Sequence, residues 1–150
     1  MNAMSIKTQL ENELKNAMRA SDDLRKSTLR MALSAIRFAE VEKGSQLDDG
    51  GILTVLHREV KSRRESIADA QRANRPDLIN QAEAEIAILE GYLPKGFSAE
   101  ELETLARQVI TETGASSIKE MGQVMKVLMP RLQGRATGDQ ASQVVRKLLG

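Results

Sequence analysis

The 150-residue sequence contains no cysteine and no tryptophan, and only three of its residues are aromatic: Phe38, Tyr92 and Phe97. Without cysteine there are no disulfides, thiolate metal sites or cysteine nucleophiles. With so few aromatic side chains, a core must be built from Leu, Ile, Val, Ala and Met. The same scarcity argues against binding of single-stranded nucleic acid, because that mode relies on bases stacking on aromatic rings.

Long apolar runs and alternating β-branched runs are also missing. No stretch approaches the length of a membrane span, and residues 1–20 contain no signal-peptide core. The remaining composition is dominated by strong helix formers such as Ala, Leu, Glu, Lys and Gln. We therefore expect an all-α protein that is cytoplasmic and makes no contact with a membrane.

The stretch around Pro94 divides the chain. Pro94 has no N–H and disfavours helix in the residue before it, so a long helical segment should end there. Ser98 and Glu101 have the spacing of a capping box that begins a new helix. The sequence therefore predicts an N-terminal bundle of about four helices in residues 4–93 and a small three-helix domain in residues 94–150.

Capping and turn residues predict where these helices begin and end. Gly44 and Gly114 are typical C-terminal glycines, and Pro130 should end the sixth helix. The predicted N-terminal caps are the turn at 21–23, the pair at 48–49, Ser5, Asp77, Ser98, Ser117, and either Thr137 or Asp139.

The second and third helices each carry an informative pattern. The second has two apolar rows, one containing Met31 and Phe38 and the other Leu29 and Ile36, so it should touch more than one neighbour. In the third helix Arg63 occupies an inward position, where a guanidinium needs a carboxylate partner. An antiparallel hairpin with the fourth helix predicts an ion pair from Arg63 to a carboxylate of that helix, Glu83 or Glu90.

The net charge of +1 is divided unevenly. Residues 1–93 have 14 basic and 15 acidic residues, a net charge of −1, whereas residues 94–150 have 8 and 6, a net charge of +2. From residue 121 onward Asp139 is the one acidic residue, and five are basic: Lys126, Arg131, Arg135, Arg146 and Lys147.

Three patterns have structural explanations that we favour over functional ones. His57 is the single histidine and has no second ligand for a metal, so a boundary position is expected. Met121, Met125 and Met129 recur every fourth residue, either as core filler, which we favour, or as an adaptable partner surface. A basic stripe on the third helix is interleaved with acids and suits a solvated face better than a phosphate track: Arg58, Lys61, Arg64, Arg72 and Arg75.

The loop at residues 133–139 is harder to assign from the residues alone. Gly134 and Gly138 allow positive φ or a close backbone approach. Together with Arg131, Arg135 and the N-terminus of the next helix, they suit a bound phosphate. An ordinary loop in which the glycines only turn the chain explains the pattern equally well. No catalytic motif, cofactor motif or metal-ligand spacing is present in the sequence.

Several segments, spread over nearly the whole chain and in the expected order, resemble the GatB/YqeY family. They are residues 58–67 (REVKSRRESI), 83–95 (EAEIAILEGYLPK), 112–117 (ETGASS), 121–125 (MGQVM) and 134–138 (GRATG). The second domain is similar to the tail of the B subunit of glutamine-dependent aspartyl/glutamyl-tRNA amidotransferase, an all-helical module that holds tRNA. The resemblance does not extend to the parts of that enzyme that carry the glutaminase and the ATP-dependent site.

The resemblance implies an accessory protein of translation that binds tRNA or another folded RNA. An amidotransferase or an aminoacyl-tRNA synthetase is then a candidate protein partner. No catalytic residue, metal or cofactor is expected in the chain itself. The predicted nucleic-acid-binding residues are Lys119, Lys126, Arg131, Gly134, Arg135, Gly138, Arg146 and Lys147.

Two alternatives remain open at this point. The first is a protein–protein adaptor that docks on an enzyme through its helical faces and methionine row. The second, weaker one is a part of a carbon–nitrogen ligase that uses glutamine as amido donor. Binding to RNA that weakens steeply with salt would favour the RNA interpretation over the adaptor, because phosphate contacts release counterions.

Overall fold

The computed structural model describes residues 4–150, and every regular element in that range is helical. The predicted all-α fold is therefore confirmed. The helices are α1 (Ile6–Arg19), α2 (Asp23–Lys43), α3 (Asp49–Arg72), α4 (Pro76–Glu90), α5 (Ala99–Thr113), α6 (Met121–Leu132) and α7 (Gly138–Leu149), with a turn of 3-10 helix at Ile118–Glu120.

The described residues separate into two compact units, one ending at Leu93 and the other beginning at Pro94. Helices α1–α4 lie in the first unit and α5–α7 in the second. Ser98 starts α5 with the predicted capping box: its hydroxyl accepts from the Glu101 N–H at 3.1 Å, and its own N–H donates to the Glu101 carboxylate at 3.0 Å.

Each unit has its own aliphatic core. All four helices of the first unit contribute to one cluster, which includes Leu10, Leu29, Ile36, Ile52, Leu56 and Leu89. The second unit buries Leu102, Ala106, Val109, Val124, Leu128, Leu132, Ala136, Ala141 and Val145. Because full burial of one such Val, Leu or Ile side chain contributes about 1.5–3 kcal/mol, the few aromatic residues are not needed as core anchors.

Most helix ends follow the predicted caps. The side chains of five of the predicted residues accept a hydrogen bond from the first turn: Ser5, Asp22, Asp48, Ser98 and Thr137. Gly44 and Gly114 end their helices with φ of 79° and 71°, in the left-handed region that glycine tolerates best.

Two predicted helix ends are wrong. Asp77 does not cap α4, because Pro76 occupies the first helical position and Asp77 instead pairs with the guanidinium of Arg75, at 2.9 and 3.1 Å. Pro130 does not end α6, which continues to Leu132. So close to the C-terminus, the missing N–H removes a hydrogen bond from the last turn only.

Helix α2 packs against α1, α3 and α4. One of its two apolar rows is buried as expected, including Leu29 and Ile36. The other row is not covered over its whole length, since Met31 and Phe38 are 55% and 66% exposed. The prediction that α2 touches more than one neighbour is therefore confirmed, although the row containing Met31 and Phe38 is only partly covered.

Arg63 is buried, with 7% of its surface exposed, and it does form an ion pair with α4. The partner is Glu85, at 3.0 Å from Nε, and not the predicted Glu83 or Glu90. A second carboxylate comes from Glu59 on the same helix, 2.9 Å from a terminal nitrogen of Arg63. Glu90 pairs with the neighbouring Arg64 instead, at 3.2 Å.

The contrast between Arg63 and Arg64 gives a stability prediction. Arg63→Ala leaves two partly buried carboxylates without their cation and should lower the free energy of unfolding by about 3–5 kcal/mol. Arg64→Ala removes an exposed pair, with the Arg64 side chain 61% exposed, and should cost less than about 1 kcal/mol. Urea denaturation of the full chain measures both. Equal losses for the two variants would contradict this account of the α3–α4 contact.

Candidate nucleic-acid interface

Lys126, one of the residues predicted to bind phosphate, lies on the outward face of α6. On its inner side α6 buries Val124, Leu128 and Leu132. Helical periodicity turns Lys126 to the opposite side, where it is exposed. Lys119 is exposed too and lies in the 3-10 turn, seven residues before Lys126. No acidic residue occurs within α6, so no carboxylate on the same helix neutralises Lys126.

The last turn of α7 contributes Arg146 and Lys147, both exposed. Lys147 lies on the edge towards α5. The pKa of Glu103 there is lowered mainly by a hydrogen bond from Arg107, and the charge of Lys147 lowers it further. Consecutive helical residues are about 100° apart, so Arg146 is turned away from Lys147 around the helix.

The packing of α6 on α7 places Arg146 at a similar height to the N-terminal part of α6. The Cε of Met129 lies 3.3 Å from the position that a Cβ on Gly138 would occupy, so the two helices touch there. The connection between them is short, and such helices run antiparallel. Counted from this contact, Gly122 lies seven residues before Met129 on α6, and Arg146 lies eight residues after Gly138 on α7. The two residues are therefore at a similar height in the helix pair.

Arg131 forms an ion pair within the second unit. Its two terminal nitrogens donate to both oxygens of Glu112 on α5, at 3.1 and 2.6 Å. This pair lowers the pKa of Glu112 and raises that of Arg131. A bidentate arginine–carboxylate pair is specific in geometry and ties α6 to the end of α5.

Arg135 is likewise held inside the second unit. Its Nε donates to the Lys95 carbonyl at 2.9 Å, and its guanidinium lies 4.0 Å from the centre of the Phe97 ring. A terminal nitrogen is 3.5 Å from the Glu101 carboxylate. The backbone adds a further link, because the Phe97 N–H donates to the Arg135 carbonyl at 3.2 Å. Arg135 therefore fixes the α6–α7 loop against the start of α5.

One of the two predicted glycines has a clear conformational reason. Gly134 has φ of 73°, which side chains other than glycine adopt only with strain. Gly138 has an ordinary φ, and a Cβ there would lie 3.3 Å from the Cε of Met129, the flexible end of a side chain that is 45% exposed. The loop interpretation therefore accounts for Gly134 without requiring a bound phosphate.

Most carboxylates of the second unit also form hydrogen bonds or ion pairs within that unit. Glu120 accepts from the backbone N–H groups of Ser116 and Ser117 in a capping box. The pKa of Glu101 is lowered mainly by the N–H of Ser98. Glu103 and Glu112 are paired to arginines, whereas Glu100 and Asp139 are exposed. Lys119, Lys126 and Arg146 form no ion pair within residues 4–150.

The eight predicted residues therefore fall into three groups. Lys119, Lys126 and Arg146 face solvent, whereas Lys147 is exposed but close to Glu103. The other four residues, two arginines and two glycines, have structural roles within the second unit: Arg131, Arg135, Gly134 and Gly138. Gly122 and Gln123 share the outward face of α6 and were not among the predicted residues. Because they lie four and three residues before Lys126, the sequence alone could have placed them on the same helix face.

The other sequence patterns mostly have structural roles. Arg64 and Arg72 of α3 form ion pairs with Glu90 and Asp69, and Arg75, just before α4, pairs with Asp77. These contacts support a solvated and paired face. Met121 and Met125 pack against the second core, but Met129 is 45% exposed, so the methionine row is only partly core. His57 is half-buried on α3. Within residues 4–150 no group of three or more His, Asp or Glu side chains could hold a metal ion.

The comparisons with known proteins point to mitochondrial relatives. The chain is 36% identical over 111 residues to "Altered inheritance of mitochondria protein 41, mitochondrial" of Lachancea thermotolerans, covering 72% of this chain and 59% of that protein. The protein of that name in Kluyveromyces lactis is 37% identical, with 69% and 57% covered. Its counterpart in Pyrenophora tritici-repentis is 25% identical, with 95% and 80% covered. The chain thus spans less than two thirds of the length of the first two relatives.

These relatives contradict the predicted cytoplasmic localisation, because all three are named as mitochondrial proteins. The prediction rested on a missing secretory signal core and missing membrane spans, and neither absence distinguishes the cytosol from the inside of an organelle. In the part of the chain that the structure describes, no helix is long and apolar enough to cross a membrane.

The family itself is shown by a match along almost the whole chain. The family model described as "Yqey-like protein" matches residues 7–149, which include all the segments on which the resemblance was based. The predicted family is therefore confirmed, and it covers both helical units. The chain belongs to the YqeY-like family.

Proposed function

We propose that this chain is an accessory protein that binds folded RNA, with tRNA as its ligand, through the α6–α7 surface. We define this surface by Lys119, Lys126 and Arg146, together with Gly122 and Gln123 between them. The observation that carries the proposal is the set of three exposed cations without an ion-pair partner within residues 4–150, next to carboxylates that are engaged in internal contacts.

The proposed contacts are to the phosphate backbone. Lys119, Lys126 and Arg146 are charged donors on a solvent-exposed surface, which suits phosphate oxygens. Gly122 supports a close approach, since nothing lies within 4 Å of the position its Cβ would take and the backbone there is uncovered. The second unit has Phe97 as its single aromatic residue, and Arg135 covers that ring. The ligand should therefore be a folded RNA recognised by shape and charge, rather than a single strand recognised by stacking.

The choice of tRNA rests on resemblance. The segments at 112–117, 121–125 and 134–138 resemble the amidotransferase tail that holds tRNA, and all three lie in the second unit. Residues 121–125 and 134–138 belong to or adjoin the two helices that form the α6–α7 surface. The proposal assigns no catalytic step to this chain.

The proposal predicts a loss of RNA affinity in the double variant Lys126→Gln, Arg146→Gln. Each lost phosphate contact should reduce the slope of log Kd against log salt by about 0.7–0.9, so the double variant should lose roughly 1.4–1.8. Fluorescence anisotropy with a labelled, folded tRNA transcript, repeated over a range of salt concentrations, measures the slope.

The matched control is Lys15→Gln, Arg19→Gln on α1, which removes the same charge from exposed positions that form no ion pair within residues 4–150. This control should retain the slope of the unmodified chain. The proposal fails if tRNA does not bind at low salt, or if both double variants lose the same affinity, because that result would reflect net charge alone.

Arg135 should affect the stability of the second unit and not RNA binding. Arg135→Gln removes the contacts with the Lys95 carbonyl, the Phe97 ring and Glu101, and should destabilise the second unit by about 1–3 kcal/mol. We expect a lower melting temperature, with RNA affinity retained well below that temperature. Lys126→Gln, Arg146→Gln should show the reverse, with weaker binding and an unchanged melt. If Arg135→Gln weakens binding while its melt is unchanged, Arg135 is itself a phosphate contact.

A further inference from the structure

The first unit has a surface that the RNA proposal does not use: the outward side of α2. Met31, Phe38 and Val41 are 55%, 66% and 80% exposed. Helical spacing places them along one side, with Ser34 between them. The opposite side of α2 is buried in the core through Leu29, Leu33 and Ile36. We call the exposed side the outer face of α2.

Single exposed apolar residues are common in proteins, but three large ones on one helix face are not. They extend over about three turns, a length that suits contact with another helix. Phe38 is one of only three aromatic residues in the chain, and it is not used in either core. Aromatic and methionine side chains are enriched where proteins bind each other.

The charges beside this face are positive on one edge. Arg30 and Arg37 are exposed, lie seven residues apart, and form no ion pair within residues 4–150. The Arg30 guanidinium lies 4.0 Å from the sulfur of Met18, which is a weak acceptor. The charge of Arg37 adds only slightly to the lowering of the Glu40 pKa, behind hydrogen bonds from the Leu47 N–H and from Lys7.

At the other edge, the charge beside Met31 is already matched. The sulfur of Met31 lies 3.9 Å from a terminal nitrogen of Arg63. That guanidinium is held by Glu59 and Glu85, at 2.9 and 3.0 Å. Along the edge of Arg30 and Arg37 a partner therefore finds two exposed positive charges, and Glu42 is an exposed acidic residue at the C-terminal end of the face.

A second copy of the chain fits this face poorly. In a two-fold pair of antiparallel helices, equivalent residues of the two copies lie along the same edge of the contact. With Met31 opposite Phe38 of the other copy, each Arg37 would lie near the other copy's Arg30. Such like-charge contacts oppose association, whereas carboxylates at these places would favour it.

We propose that the outer face of α2 docks an amphipathic helix of an acidic partner protein. The partner's apolar side chains cover Met31, Phe38 and Val41. Two acidic residues spaced about two turns apart pair with Arg30 and Arg37. This mode follows the general pattern of helix recognition, in which apolar anchors give affinity and flanking charges set specificity. The surface lies in the first unit, so the inference does not depend on RNA binding by the second.

The test uses a displayed library of amphipathic 14-residue helices with fixed apolar positions, in which the flanking positions are Glu, Lys or Gln at random. Binders are selected on the full chain. We expect enrichment of Glu at two flanking positions seven residues apart. Phe38→Gln should weaken the selected binders about tenfold or more, as for a central anchor of an interface.

Two further variants make the result specific. Leu78→Gln replaces another exposed apolar residue of the first unit, 44% exposed on α4, and should leave binding unchanged. The double reversal Arg30→Glu, Arg37→Glu should shift the enrichment from Glu to Lys. All the substituted side chains are exposed, so each variant should keep the helical circular dichroism spectrum of the unmodified chain.

Three results would overturn the inference. The first is a library without enrichment, or with enrichment that ignores the flanking charge. The second is a set of binders that tolerates Phe38→Gln. The third is sedimentation equilibrium showing a dimer of the unmodified chain that Phe38→Gln converts to a monomer, because a second copy would then occupy the face.

Discussion

The pairing of charges within each unit is the interaction on which both proposed surfaces depend. With 22 basic and 21 acidic residues, the charges of the chain are nearly balanced. Arg63 is matched by Glu59 and Glu85 in the first unit, and Arg131 by Glu112 in the second. These contacts hold helices together and also remove the carboxylates that would otherwise offset nearby cations. Some of the cations that remain lie on the two surfaces to which we assign ligands, namely Lys119, Lys126 and Arg146 in the second unit and Arg30 and Arg37 in the first.

Much of the fold could be predicted because its signals are local. Ser98 and Glu101 form a capping box through backbone groups three residues apart, and Gly114 ends α5 with positive φ. The predicted helix ends were wrong where a second local feature outweighed the one that was used. Pro76 took the first helical position ahead of Asp77, and Pro130 lay too close to the helix end to break it. Arg63 was correctly placed inside, but which α4 carboxylate faces it depends on the rotation of the two helices, which no local pattern fixes.

The candidate site was less predictable than the fold, because the exposure of a cation depends on distant residues. Lys126 could be placed outside from its position opposite the apolar side of α6. Arg131 has the same residue chemistry, but Glu112, nineteen positions earlier, engages it. Arg135 is held by the Lys95 carbonyl, forty positions away. The exposed face of α2 was missed for a related reason: its apolar spacing is typical of a core helix, and no neighbour of the first unit covers Phe38.

The central claim is that tRNA binds along the α6–α7 surface of the second unit. Amide spectra of the ¹⁵N-labelled full chain, recorded while an unlabelled, folded tRNA transcript is added, test this claim residue by residue. We predict that the largest shift changes and signal losses occur around Lys119, Gly122 and Lys126, and around Arg146. The amides of α1 should change least. Changes centred on the first unit, or an unchanged spectrum with saturating tRNA at low salt, would contradict the account.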